Sequence, residues 1–239
     1  MVSLDPNLPD RMICIRKSMT KFDARGGNDI EVCGIASRPL NLFLNRPLIK
    51  ILEDLGIHCN VFLEMQRKMI AELEMSMSQP LLAAKLLSRE RLDSIHMSDL
   101  LKNLSIMGLS PFSDPFIRSL IDMLALFKLR DLKYKGRIAV SKGVKLYGVM
   151  DETGYLKANE IYCSREVDGF NEVLVAERVL VTRSPALHPG DVQICRAVEP
   201  PIRSSGNPLN SLVNVVVFSQ HGERDVASML SGGGTLTTT

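Results

Sequence analysis

Val213-Asn-Val-Val-Val-Phe-Ser-Gln-His-Gly-Glu-Arg-Asp-Val-Ala-Ser-Met-Leu-Ser-Gly-Gly233 is the stretch whose reading decides the fold. Val215, Val216, Val217 and Phe218 are apolar at successive positions, whereas a strand with one wet face alternates. An unbroken run implies burial on both faces, as in a closed barrel or a sandwich core. Five more candidate strands lie upstream, several of them also apolar at successive positions: Arg137–Val140, Val144–Val149, Val173–Ala176, Val179–Thr182 and Val192–Cys195. Turn residues separate them, Asp151-Glu-Thr-Gly154 among them.

Ahead of this β-rich part the period changes. Asn45 is placed to cap a helix, Pro47 suits its first turn, Leu48, Ile51, Leu52 and Leu55 share a face, and Gly56 stops it. Phe62, Met65, Met69 and Leu73 form the next stripe, with Glu64 and Lys68 paired on the polar side. The methionines here, with Met75 and Met77, read as core filler or as an adaptable partner groove. Ser98 is a candidate cap before Leu100, Leu101 and Leu104, and Gly108 a stop. Asp114-Pro115 opens a last helix with Ile117, Leu120, Ile121, Leu124 and Phe127 inward, and with Lys128 and Arg130 near its C-terminus, where the dipole favours cations. Short strand-like pieces, Met12–Ile15 and Ile30–Ile35, flank a turn-rich segment at the beginning. The fold class is therefore α+β.

The 239 residues, 45% hydrophobic, suffice for one large core or two modest ones. With 29 basic and 27 acidic side chains, the balance carries no composition-level nucleic-acid footprint. Aromatics at 5% argue against a stacking platform for single strands. Cys14, Cys33, Cys59, Cys163 and Cys195 have no metal-ligand spacing and read as reduced, buried small hydrophobes. Reduced thiols, and a beginning without a basic and apolar leader, predict an intracellular, nuclear or cytoplasmic protein. The most apolar window, Phe116–Leu129, holds Arg118, Asp122 and Lys128 and is shorter than a membrane span of ~20 residues.

His58, His96 and His221 lack partners at catalytic spacing, and Ser184 and Ser231 lack a nucleophile elbow. Gly148–Gly154 is not followed by the Lys and Ser or Thr of a phosphate loop.

Four segments, in order, resemble the cell-encoded eukaryotic RNA-dependent RNA polymerases of RNA silencing. Ile15-Arg-Lys-Ser-Met-Thr-Lys-Phe22 is similar to the family's Arg-Pro-Ser-x-x-Lys-Phe segment, with Lys17 in place of proline. Arg38–Gly56 is similar to the run that starts its helical connector. Gly148–Gly154 together with Val179–Asp191 is the most diagnostic pair, and Val213–Gly233 resembles the strand and loop leading into the family's metal-binding Asp-bulky-Asp-Gly-Asp motif.

The resemblance implies a helical connector followed by an incomplete double-psi β-barrel. Residues 1–44 would end a first barrel, 45–135 form the connector, 136–230 make the catalytic-type barrel, and 231–239 form a disordered tail. With strands missing from each barrel, the fragment is expected to be marginally stable alone. It also implies template-directed nucleotidyl transfer making double-stranded RNA, with an RNA template and nucleoside triphosphates as partners and without a membrane. The primer 3′-oxygen attacks an α-phosphate while Mg²⁺, held by clustered aspartates, stabilises the attacking and leaving oxygens. Those aspartates do not occur in residues 1–239, and Asp191, Glu223 and Asp225 are too dispersed to replace them. By this reading the chain alone is inactive and contains no catalytic or metal-ligating residue.

Cations in the family-like segments, Lys17, Lys21, Arg38, Lys142 and Arg183, are the candidates for RNA phosphate contacts, against the bland reading of solvated surface charges. His188 either contacts RNA or orders the Pro189-Gly190-Asp191 turn. The alternative class is a non-catalytic RNA-binding or interaction module derived from the polymerase. One further expectation concerns Thr235-Leu-Thr-Thr-Thr239. Shifted by one base, these codons read Asp, a variable residue, Asp, Asp, Asp, provided G stands third in the codons of Gly234, Leu236, Thr237 and Thr238. Genomic sequence is expected to reveal a frameshift, a missed intron or a sequencing error there.

Overall fold

The structure, a computed structural model, describes residues 9, 12–14, 31–32, 35–89, 96–167, 169–199 and 208–230. The chain divides into two units, one of residues 41–144 and one of residues 1–40 with 145–239. The expected pieces Met12–Ile15 and Ile30–Ile35 are described only in part, and residues 12–14, 31–32 and 35 are not in a strand. Cys33 and the 231–239 tail lie outside the described residues.

The first unit is helical. Helix α1 (Arg46–Asp54) begins where Asn45 accepts from the Leu48 N–H at 2.9 Å, and Gly56, at φ +95°, marks its end. Leu48, Ile51 and Leu52 are buried, while Leu55, expected beside them, is exposed. Helix α2 (Cys59–Ser76) is capped by His58 and buries Phe62, Met69 and Leu73. Met75 and Met77 are exposed. Helices α3 (Pro80–Arg89), α4 (Met97–Ile106) and α5 (Pro115–Lys135) share a core of Ala83, Ala84, Leu87, Leu101, Ile121 and Leu124. Each large side chain there stabilises the fold by about 2 kcal/mol.

Two further expectations fail in this unit. His96, in the left-handed region at φ 53°, occupies the cap of α4, and Ser98 lies inside the first turn, buried. Phe127 is 54% exposed, and the buried face of α5 continues instead through Lys128, Asp131 and Leu132. Lys128 reaches that face because its apolar stem packs inward while its ammonium sits 5.1 Å from the centre of the Phe43 ring. Asp114 caps α5 as expected, accepting from Phe116 and Ile117 N–H, and Gly136 closes it at φ +63°.

Strands β1 (Leu40–Leu44) and β2 (Ile138–Lys145) pair as a two-stranded sheet. The expected strand Arg137–Val140 therefore contributes to this ribbon and not to the main sheet.

The other unit holds a six-stranded sheet of β3 (Tyr147–Met150), β4 (Glu160–Val167), β5 (Phe170–Val173), β6 (Ala176–Thr182), β7 (Val192–Ala197) and β8 (Val215–Phe218). Its order is β3-β8-β4-β7-β6, with β5 also on β4. Strand β8 runs parallel to β3, Val217 facing Val149, and antiparallel to β4, Val216 facing Cys163. Ile161 pairs with both Phe218 and Ala197, and Ser164 with both Val215 and Val173. So β8 takes one edge of β4, and β7 and β5 divide the other. Among the described residues no ladder joins β3 to β6, so the sheet is not closed.

Strand β8 is buried on both faces, as its composition predicts. Phe218 and Val216 enter a core with Ile161, Cys195, Val226 and Leu230, while Val215 and Val217 enter a second core with Leu156, Tyr162 and Leu209. Cys163 and Cys195 are buried, but Cys14 and Cys59 are exposed, which corrects the expectation that all the thiols are buried. Among the described residues no helix is long and apolar enough to cross a membrane.

Candidate functional site

The parallel pairing of β3 and β8 brings their C-terminal ends side by side, which places Asp151 against Ser219. The Asp151 N–H donates to the Phe218 carbonyl at 2.8 Å, continuing the ladder one step past the strands. Its carboxylate, 1% exposed, accepts from Thr153 N–H (2.9 Å), Thr153 Oγ1 (2.6 Å) and Leu156 N–H (2.8 Å). Burial of a carboxylate is tolerable only when donors replace its water, and three do so here.

Across from it, the buried Ser219 hydroxyl donates to the Leu156 carbonyl at 2.7 Å and accepts from His221 N–H at 3.0 Å. The His221 ring Nε2 lies 3.2 Å from the Gly154 carbonyl, so the bond requires the tautomer with hydrogen on Nε2. The β3–β4 turn and the segment after β8 are thereby joined at two points. Beyond them Asp225 caps the short helix α6 (Val226–Met229), accepting from Ser228 N–H at 2.7 Å and Ser228 Oγ at 2.6 Å. Val226 and Ala227 anchor α6 on the core beneath Phe218.

Arg183 follows β6 and reaches the far end of α6, Nη1 donating to the Leu230 carbonyl at 3.4 Å. It is half-buried. His188 caps the Pro189–Asp191 3₁₀ turn, Nδ1 accepting from Gly190 N–H at 3.0 Å, while Asp191 Oδ2 accepts from Leu187 and His188 N–H. Its ring is thus engaged in ordering this turn. Arg38 is exposed in the same unit, and Lys142 is exposed on β2 in the helical unit. Lys17 and Lys21 lie outside the described residues. Of the six candidates, Arg183 and His188 share the β6–β7 connection.

The carboxylates here do not fit a divalent cation. Asp151 is surrounded by backbone and hydroxyl donors, Asp225 holds Ser228, and Asp191 closes its own turn. Among the described residues no three metal-binding side chains converge. The two buried thiols are not poised for chemistry: burial pushes Cys195 up to about 11, and burial also raises Cys163, with Arg165 opposing it in part.

Sequence reasoning missed Ser219, His221 and the burial of Asp151. The Asp-x-Thr spacing at 151–153 is a signal for a turn closed by its own side chains. Nothing local tells that Ser219, 63 residues beyond Leu156, completes it.

The family model described as RNA dependent RNA polymerase matches residues 1–234. Probable RNA-dependent RNA polymerase 1 of Oryza sativa subsp. japonica is 32% identical over 236 residues, which is 97% of this chain and 30% of that protein. RNA-dependent RNA polymerase 1 of Schizosaccharomyces pombe is 32% identical over 237 residues, 91% of this chain and 19% of that protein. Among solved structures, RNA dependent RNA polymerase QDE-1 from Thielavia terrestris superposes with a TM-score of 0.57 at 22% identity, over 84% of this chain and 24% of that one. This likeness shows a shared mixed α+β fold. The chain spans about a fifth to a third of the length of these relatives.

Proposed function

We propose, because this chain belongs to the RNA-dependent RNA polymerase family, that it is part of an enzyme catalysing template-directed nucleotidyl transfer into double-stranded RNA for silencing. The observation that carries this reading is the joined pair of turns: Asp151, Ser219 and His221 fix the path from β8 through α6, the path that in the family-like sequence leads to the acidic loop. Arg183, bonded to the last residue of that path, is then the best placed of the proposed RNA-phosphate contacts. Lys17, Lys21, Arg38, Lys142 and His188 remain proposals on the strength of their segments.

In this reading residues 136–230 belong to a double-psi barrel whose remaining strands lie elsewhere, 1–44 end a first barrel, and 45–135 connect the two. Mg²⁺ supplies charge stabilisation to the transferring phosphate when bound. It is assigned to the family's Asp-bulky-Asp-Gly-Asp loop and to no carboxylate of residues 1–239.

The test is to sequence the full-length transcript and assay its product by primer extension on an RNA template, with and without Mg²⁺. Mg²⁺-dependent, template-directed incorporation is expected from a product containing the acidic loop. A full-length product that lacks the loop, binds RNA and never extends a primer would replace this reading with the non-catalytic module.

A further inference from the structure

The last two turns of α5 carry a group of side chains that the polymerase reading does not use. Over residues 127–137 the chain reads Phe-Lys-Leu-Arg-Asp-Leu-Lys-Tyr-Lys-Gly-Arg, five cations with one carboxylate in a protein of near-neutral balance. Phe127, Arg130, Asp131, Tyr134 and Lys135 line a cleft of about 380 Å³. A smaller one of about 90 Å³ adjoins it, sharing Phe127 and Asp131 and adding Phe43, Lys128 and Arg137. Phe127 and Tyr134, two helical turns apart, are 54% and 61% exposed.

Helix-end cations often do no more than offset the dipole. Here two of the terminal carbonyls already have donors other than these cations: Gly136 N–H bonds the Leu132 carbonyl, and Arg46 Nη2 donates to the Lys133 carbonyl at 3.1 Å. Asp131 organises the cations, taking Lys135 at 2.8 Å and Arg137 at 2.9 Å. Its carboxyl is held below the usual range, first by the Lys135 hydrogen bond and further by Arg137, so it stays charged at neutral pH. One carboxylate thus fixes two cations and neutralises the charge of one. Among the described residues Arg130 has no ion-pair partner and lines the cleft together with both rings, while the Lys133 ammonium lies 5.4 Å from the centre of the Tyr134 ring and leaves its other face for a base.

We propose that this end of α5 binds single-stranded RNA, with bases stacked on Phe127 and Tyr134 and phosphates held by Arg130 and Lys135. Exposed rings flanked by cations match a strand whose bases are unstacked, whereas a duplex keeps the faces of its bases stacked inside. Arg130 supplies a planar fork of donors for a phosphate, and the Lys135 ammonium keeps donors to spare beyond the one on Asp131. From Phe127 to Tyr134 the helix rises about 10 Å, the length of two or three nucleotides. The choice of RNA over other polyanions rests on the polymerase reading; the pairing of stacking with phosphate contacts rests on the geometry alone.

The experiment is fluorescence anisotropy of a labelled oligouridine on the 239-residue chain across roughly 50 to 200 mM salt. Tyr134→Ala is expected to weaken binding about 10-fold and Tyr134→Phe to leave it unchanged. Arg130→Ala should reduce the log–log salt slope by about 0.7. Thermal melts within error of the parent show that these exposed positions are not needed for folding.

Parent-like affinity and slope in both alanine variants would overturn the proposal, as would equal loss in Tyr134→Phe. Tighter binding of a poly-glutamate peptide than of oligouridine, lost in the same variants, would assign the cleft to an acidic protein segment instead. The two readings fail separately. Primer extension with unaltered oligouridine binding in the variants removes this site and leaves the polymerase reading, while the reverse leaves this site standing.

Discussion

Asp151 illustrates how much a single side chain can hold when its donors are all provided by the fold. Three donors surround it within 2.9 Å, and it is 1% exposed. Asp151→Ala removes the acceptor and leaves the buried Leu156 N–H without one, a loss of about 1–3 kcal/mol. Urea unfolding of the variant measures it, and a change below about 0.5 kcal/mol would mean that the turn does not depend on this carboxylate. The sequence identified the turn at Asp151–Gly154, since Asp, Thr and Gly are turn residues. It did not reveal the burial, because an Asp in a turn is ordinarily solvated and the enclosing partner comes from beyond β8. Phe127 and Lys128 make the same point in reverse. Periodicity put the ring inside and the cation outside, and the cation–ring contact with Phe43 exchanged them.

Among elements, β8 was legible and β4 was not. The Val-Val-Val-Phe run of β8 announces two buried faces without reference to anything else, whereas β4 reads Glu-Ile-Tyr-Cys-Ser-Arg-Glu-Val and mixes charges into the sheet's central strand. Its polar members have specific partners: Ser164 Oγ donates to the Leu212 carbonyl at 2.6 Å, and Arg165 pairs with Glu172 of β5. The predicted strand Val173–Ala176 in fact straddles the β5–β6 junction, where Leu174 N–H bonds the Cys163 carbonyl.

Close packing of β3 on β8 gives the prediction at this scale. A Cβ at Gly148 would stand 2.7 Å from the Phe218 ring, whose own position is set by the core around it. Gly148→Ala is therefore expected to cost about 1–3 kcal/mol through overpacking, read as a lowered urea midpoint with an unchanged slope. An unaffected midpoint would mean that the ring moves freely aside.

For the whole molecule, charge says little and thiols say more. The 29 cations and 27 acids nearly cancel, so the cation-rich end of α5 was invisible in the totals and appears only when residues 127–137 are taken alone. The buried Cys163 and Cys195 sit on β4 and β7 with raised pKa, whereas Cys59 and Cys14 face solvent. Alkylation at pH 8 should label Cys59 and Cys14 within minutes and leave Cys163 and Cys195 unmodified until urea unfolds the sheet. Mass spectrometry of the tryptic peptides reports it, and early modification of Cys195 would contradict the packing described for β7.

The hydroxyl of Ser219 donates to one loop and accepts from its own, so two distant stretches of polypeptide meet at a single oxygen. That oxygen works as a surveyor's mark. The path from Phe218 to Leu230 starts from a bearing already taken, inherited from a serine and a threonine turn instead of being found anew by each copy of the protein.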